Sequence, residues 1–391
     1  MSRRTPRPHA ADPAPRRTPR PHAAGPAPGP HGGRRAEPAR RPHVLVARLD
    51  NDGDVLLAGP AIRAVAAGAS RVTLLCGPRG ARAAELLPGV DGLLVHRAEW
   101  IDPDVEPFDP ANSHRLIRAV AALGCDEAVI LTSFHQSPLP LALLLRLAGL
   151  PRIGAISDDY PGALLDVRHR VPDELHEVER GLSLAAATGH EPPPDDDGAL
   201  RVLRPAAADA RFAARLPAEP YVVVHPGASV TARAWAPERN GELVEALAAR
   251  RHAVVVTGAP SERRLTAQVA GDRGLDLGGE TTLAQLAEAL AGAAAIVVGN
   301  TGPAHLAAAV GTPVVSLYAP TVPAVRWRPW MVPHVLLSEP VPCAGCRARD
   351  CPVPGHPCID EIATETVVEA VERLAGARPP RPRPTLEATR A

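Results

Sequence analysis

Three groups of residues in this chain have the types and spacing to do chemistry. The first is the turn Gly299-Asn300-Thr301-Gly302-Pro303, which follows the apolar run Ile296 to Val298 and opens a helix of small residues, 303–310. Glycines permit the tight turn, and proline suits the first helical position. The helix then presents unpaired N–H groups and the positive end of its dipole beside the Thr301 hydroxyl, which is a site for a phosphate. The second is DNDGD, residues 50–54, with carboxylates at Asp50, Asp52 and Asp54. Neighbouring carboxylates raise one another's pKa, and one that stays ionised can remove a proton from a hydroxyl. The bland reading of Asp54 is a helix N-cap. The third is Cys343, Cys346, Cys351 and Cys358, a C-x2-C-x4-C-x6-C run with His356 nearby. Four thiols in one short segment suit a structural tetrahedral zinc, with reduced, packed thiols as the alternative.

The elements that must position these residues alternate between strand and helix. HVLVARL (43–49), RVTLLC (71–76), GLLVH (92–96) and EAVILT (127–132) read as buried strands, with helices over 55–68, 80–87, 113–123 and 138–148. A second series starts at YVVVHPGAS (221–229) and runs through helix 236–250, strand 252–258, helix 260–270 and helix 283–291 to the Gly299 turn. Such alternation predicts an α/β chain with two doubly wound, Rossmann-like parallel sheets facing a cleft. Ligands then sit at the carboxyl ends of the strands, where DNDGD, the Gly299 turn and the loop with Ser133, Phe134, His135 and Gln136 all fall. That last loop reads equally as a cap for the helix after it. The expected layout is a Pro/Arg-rich tail (1–41), an N-terminal Rossmann-like domain (43–190), a linker (191–220) and a C-terminal Rossmann-like domain (221–342). The Cys-rich segment (343–358), a closing helix (359–376) that braces the first domain, and a second tail (377–391) follow.

GNTGPAHLAAAVGTPVVSLYAP (299–320) resembles the signature of the heptosyltransferase family, glycosyltransferase family nine. The resemblance implies the two-domain GT-B architecture and an inverting, metal-independent transfer of a heptose-like sugar. The donor would be a nucleotide diphosphate sugar, ADP-linked, and the acceptor a hydroxyl of a glycan or glycolipid. It assigns Asn300, Thr301, Gly302 and His305 to the donor, through a Thr-Gly-x-x-His pattern. HPGASVTARAW (225–235) is similar to a family segment whose basic residue, here Arg233, meets the donor phosphates. TGAPSERRL (257–265) likewise puts Glu262 near the ribose. Gly53-Asp54 resembles the family's Gly-Asp, whose aspartate is the catalytic base, with Gly53, Ser133 and Gln136 on the acceptor side. This chain has Asn300 where some relatives carry aspartate. The resemblance implies no catalytic cofactor.

Composition narrows the alternatives. The chain has 391 residues, 45% hydrophobic and 3% aromatic, so its cores must be built from Ala, Val and Leu. Formal net charge is +0, which argues against nucleic acid as a partner. All basic side chains are arginine, and with 46 prolines this reads as coding bias. No run of about 18 apolar residues is present. A cytoplasmic protein, peripheral to the inner face of the cytoplasmic membrane where a glycolipid acceptor would lie, is expected. RRTPRPHAADPAP (3–15) recurs almost unchanged at 16–28, a duplication with no means of forming a core. The missing Gly-x-Gly-x-x-Gly disfavours a nicotinamide dehydrogenase. A nucleotide-sugar epimerase of the same architecture and a non-catalytic nucleotide-sugar-binding protein remain as alternatives.

Overall fold

The computed structural model describes residues 40–376 apart from 103, 105 and 204–209, so the two tails read as disordered lie outside the described residues. The first sheet is built from β1 (His43–Arg48), β2 (Arg71–Cys76), β3 (Gly92–Val95), β4 (Glu127–Ile130), β5 (Arg152–Ile156) and β6 (Val167–His169). The second contains β7 (Tyr221–His225), β8 (Ala253–Val256), β9 (Leu275–Asp276), β10 (Ala295–Gly299), β11 (Val314–Leu317) and β12 (His334–Leu337). Their orders are β3-β2-β1-β4-β5-β6 and β12-β11-β10-β7-β8-β9, and the described pairings are parallel. Central strands such as β7 and β10 are buried along their whole length. Helices cover both faces, which is why these strands read as unbroken Val and Ile runs with no alternation.

Strand order reverses once in each sheet, between β1 and β4 and between β7 and β10. At such a switch point the loops leave in opposite directions and open a crevice at the carboxyl ends. Asp50–Asp54 follows β1, Ser133 follows β4, and Asn300–Gly302 follows β10, so all of them meet at these two crevices. The described residues from Arg41 on form one unit, and its two sheets are joined by direct packing of helix Asp52–Leu57 on helix Gly302–Ala309. A side chain at Gly53 would come within 3.0 Å of the Gly302 Cα and 3.2 Å of the His305 ring. Glycine is required there because the two helix starts approach backbone to backbone.

Three features differ from the sequence reading. DNDGD is not a turn before a helix at 55: the helix begins at Asp52 and ends at Leu57, and a second runs from Gly59 to Gly68. Pro60 has no N–H to continue the first ladder, so the helix breaks just before it. The closing helix, Thr364–Gly376, does not brace the first half. Its buried Val367, Val368, Val371 and Leu374 share a core with β7, β10 and β11, so it covers the second sheet. Part of the 191–220 segment is packed against the first half: Asp196 pairs with Arg63 at 2.6 Å and Leu203 N donates to Leu86 O. Among the described residues no helix is long and apolar enough to cross a membrane.

Candidate active site

Arg48 ends β1 inside the protein, 4% exposed, and the first half of the site is arranged around its guanidinium. Nε lies 2.8 Å from Asp50 Oδ2, and Nη2 donates to Asp54 Oδ1 at 3.0 Å and to Ser133 Oγ at 2.8 Å. Nη1 reaches Glu177 Oε2 at 3.3 Å. Burial works against the Arg48 charge, but Asp50, Asp54 and Glu177 outweigh it and hold the group above the ordinary arginine range. The same burial pushes Asp50 up to about 6 and raises Glu177. One buried cation cannot neutralise three carboxylates, so the least favoured of them keeps its proton longest.

The three aspartates separate by what their oxygens already hold. Asp50 has one oxygen on Arg48 and the other on the Gln136 amide. Asp52 has one on Arg82 at 2.8 Å and the other on Ala83 N at 3.1 Å. Asp54 has one oxygen on Arg48, and its Oδ2 has no partner among the described residues. It does not cap a helix: it lies in the first turn behind Asn51, and no side chain caps that terminus. Asp54 therefore combines a fixed orientation with a free oxygen, which is what a general base needs.

Across the crevice, the end of β10 gathers polar atoms with nothing to bond. Both side-chain polar atoms of Asn300, the Thr301 hydroxyl and His305 Nδ1 are buried without hydrogen-bond partners. Buried polar groups are normally satisfied, so this many orphans on one turn calls for a ligand. Burial pushes His305 down to about 4, leaving a neutral ring at pH 7. A cavity of about 340 Å³ opens here, lined from the second half by Ser229, Glu262, Thr301 and Gly302 and from the first by Gly53, Arg79 and Arg82. Glu262 caps Ala259 N at 2.7 Å and fills the space beside Gly227. Arg233 enters on the turn Thr231–Arg233, whose backbone crosses β10 so closely that a side chain at Gly299 would strike its carbonyl at 2.5 Å. Its Nε donates to Thr321 Oγ1 at 3.2 Å, and burial lowers its pKa.

Sequence-predicted residues on the acceptor side are placed differently from that expectation. Ser133 is buried on Arg48, Gln136 bridges Ser133 N and Asp50, and Gly53 lines the donor-side cavity. The Ser133 hydroxyl accepts from Arg48, and Gln136 uses its amide oxygen on Ser133 N and its nitrogen on Asp50, so both help to position the charged cluster. Arg48, Glu177, Arg79 and Arg82 were missed; Arg48 was legible only as the one charge interrupting an apolar strand. The four cysteines and His356 line one apolar cavity, yet among the described residues no three His, Cys, Asp or Glu side chains converge to hold a metal ion. Number and chemistry fit a zinc, and the spacing as it stands does not. The segment does brace the donor side: Ala232 N and Thr231 Oγ1 both donate to Arg349 O at 2.9 Å, and His356 Nε2 donates to Ala232 O at 3.2 Å.

Comparison with known proteins decides the lineage. The model of glycosyltransferase family 9 (heptosyltransferase) matches residues 114–356, well over half of the chain. The chain belongs to glycosyltransferase family 9. Lipopolysaccharide heptosyltransferase 1 of Pseudomonas aeruginosa is 33% identical over 180 residues, 45% of this chain and 48% of that protein. The chain thus spans about half the length of this curated relative. The family 9 structure from Veillonella parvula superposes with a TM-score of 0.70 at 18% identity, covering 87% of this chain and 98% of its own. E. coli heptosyltransferase WaaC with ADP-2-deoxy-2-fluoro heptose gives 0.63 at 20%, covering 85% and 99%. The fold is GT-B, as the family resemblance implied.

Because the Asp50 carboxyl titrates near 6 in the folded family 9 chain and near 3.8 when unfolded, its ionisation costs stability as pH rises through that window. Asp50→Asn removes this cost. Its unfolding free energy relative to the parent chain should improve by roughly 2 kcal/mol between pH 4 and pH 7. Urea denaturation at both ends of the range measures it, and a pH-independent difference would place the Asp50 proton elsewhere.

Proposed function

We propose that this chain is an inverting glycosyltransferase that moves a heptose-like sugar from an ADP-linked donor to a hydroxyl of a glycan or glycolipid. The observation that carries the reading is the set of orphaned polar atoms on Asn300, Thr301 and His305 at the start of helix Gly302–Ala309. A diphosphate there would accept from the helix terminus, the Thr301 hydroxyl and Arg233. The sugar would lie between this turn and Asp54, with Glu262 toward the ribose. The ADP-sugar bound by WaaC supports the choice of nucleotide.

In the proposed step Asp54 Oδ2 accepts the proton of the acceptor hydroxyl as that oxygen attacks the anomeric carbon. The bond from that carbon to the phosphate oxygen breaks on the opposite face, and the leaving diphosphate keeps the electron pair. Its charge is met by groups already fixed in place, Arg233 and the helix dipole, which is where such sites gain most of their rate. Arg48 holds Asp54 in its orientation while its free oxygen works. We assign the acceptor to the first-half side of the crevice, at the inner face of the cytoplasmic membrane.

Arg233→Ala should weaken ADP binding by roughly 30–150-fold, the scale of a lost charge-assisted hydrogen bond. Calorimetry reads this directly; unchanged affinity would take Arg233 out of the donor site. ADP should stabilise the parent chain against heat more than UDP or GDP, and equal effects would contradict the adenine nucleotide. For Cys343, Cys346, Cys351 and Cys358 we propose a structural zinc on the number and chemistry of the four thiols alone. Elemental analysis of protein handled without chelators should then find about one zinc per chain, whereas none would leave four reduced thiols packed around their cavity.

A further inference from the structure

Arg233 is held in place by a segment that supplies no group to the proposed transfer step. Its turn, Thr231–Arg233, has few bonds of its own, Arg233 N to Val230 O at 2.9 Å and Ala234 N to Thr231 O at 3.0 Å. Ala232 at the centre is 2% exposed, so both its backbone groups must find partners inside the protein. The Cys-rich segment and the short helix at its end, Pro357–Asp360, supply them. Ala232 N donates to Arg349 O, and His356 Nε2 donates to Ala232 O. The Thr231 hydroxyl lies within reach of Arg349 O, at 2.9 Å, and of the Asp350 carboxylate. Just past the turn, Ala236 N donates to Asp360 Oδ1 at 3.0 Å. The Arg233 side chain is fixed from the same direction: its Nε donates to Thr321 Oγ1, and Arg347 N donates to Thr321 O at 3.0 Å.

His356 stands out among these partners. Its φ of 43° lies in the left-handed region, which is strained for residues other than glycine and asparagine. Strain of this kind persists where the surroundings impose it, and it gathers at functional sites. Here the strained residue aims its ring at the carbonyl that joins Ala232 to Arg233. Cys358, Ile359 and Ile362 share a core with Trp235, which anchors the segment on the far side of the same turn. Arg233 Nη1 and Nη2 make no hydrogen bond among the described residues, so the outer edge of the guanidinium is left for a ligand. A two-pronged contact from guanidinium to phosphate needs both groups in one fixed geometry. We infer that the segment from Cys343 to Asp360 sets the affinity for the donor diphosphate, with His356 and Thr231 as the residues that position Arg233. This rests on the reading of Arg233 as a donor-phosphate ligand. The bonds to the turn come from Arg349, His356 and Asp360, so none of them is made by a thiol.

Calorimetry on the full chain with ADP and with adenosine separates the phosphate contribution from that of the nucleoside. His356→Asn puts in a residue that tolerates the left-handed region and removes the bond to Ala232. Thr231→Val changes an exposed residue and removes only its hydroxyl, which keeps the test open if the first variant fails to fold. Each should weaken ADP by roughly fivefold or more, the scale of one lost hydrogen bond, with adenosine affinity unchanged. Thr231→Ser keeps the hydroxyl and should bind ADP as the parent chain does. In an Arg233→Ala background neither change should weaken ADP further, because the group that they position is gone. Equal losses for ADP and adenosine, unchanged ADP affinity in both variants, or losses that add to that of Arg233→Ala overturn the inference. Arg233→Ala itself leaving ADP affinity unchanged would instead overturn the donor assignment of Arg233, and the inference with it.

Discussion

One buried guanidinium fixes the first half of the candidate site. Arg48 sits at the end of a central strand, out of reach of water, and must find its counter-charges within the fold. Asp50, Asp54 and Glu177 supply them from two different segments, the loop after β1 and the helix that starts at Glu177. Taking Arg48 away would leave the buried Asp50 carboxylate without its cation, a loss of about 3–5 kcal/mol for a broken buried pair. The arrangement also sorts the carboxylates by task. Asp50 is shut in on both oxygens and pushed toward its protonated form, while Asp54 keeps one oxygen free.

The second constraint is the approach of two helix starts. Gly53 meets the Gly302 backbone so closely that a side chain at Gly53 would crowd it, which sets the loop of carboxylates against the turn that carries the unpaired polar atoms. Apolar packing behind them, with Leu57 and Val178 against Ala308, holds this distance. His176 adds a hydrogen bond from Nε2 to Arg328 O at 2.9 Å and a stack on Trp330, tying the first half to the second on the far side of the crevice. The carboxylate loop and the Gly299 turn are thus held against each other by packing and hydrogen bonds within the chain.

Much of the fold was legible because parallel strands buried on both faces announce themselves as Val and Ile runs, and glycine-rich turns mark where each ends. The Gly299 turn and Asp54 could be named because they stand directly after such strands. The Arg48 cluster could not: Glu177 is 129 positions away, and only the sheet order brings it near. The bonds of Ser133 to Arg48 and of Gln136 to Asp50 were not legible either, since a sequence does not say that a buried arginine is waiting behind that loop. The closing helix shows the same limit. Its amphipathic stripe is plain, but which sheet receives it is decided in three dimensions.

The central claim is that Asp54 carries the proton while Arg48 holds it in place. The most direct measurement is the turnover number of Asp54→Asn with an ADP-sugar donor, set beside its ADP affinity. Asparagine keeps the size and the oxygen that faces Arg48 but has no proton affinity at neutral pH. The account predicts that kcat falls by roughly 10²–10⁴-fold with ADP affinity nearly unchanged. Turnover close to that of the parent chain would contradict it, and would move the base to another group.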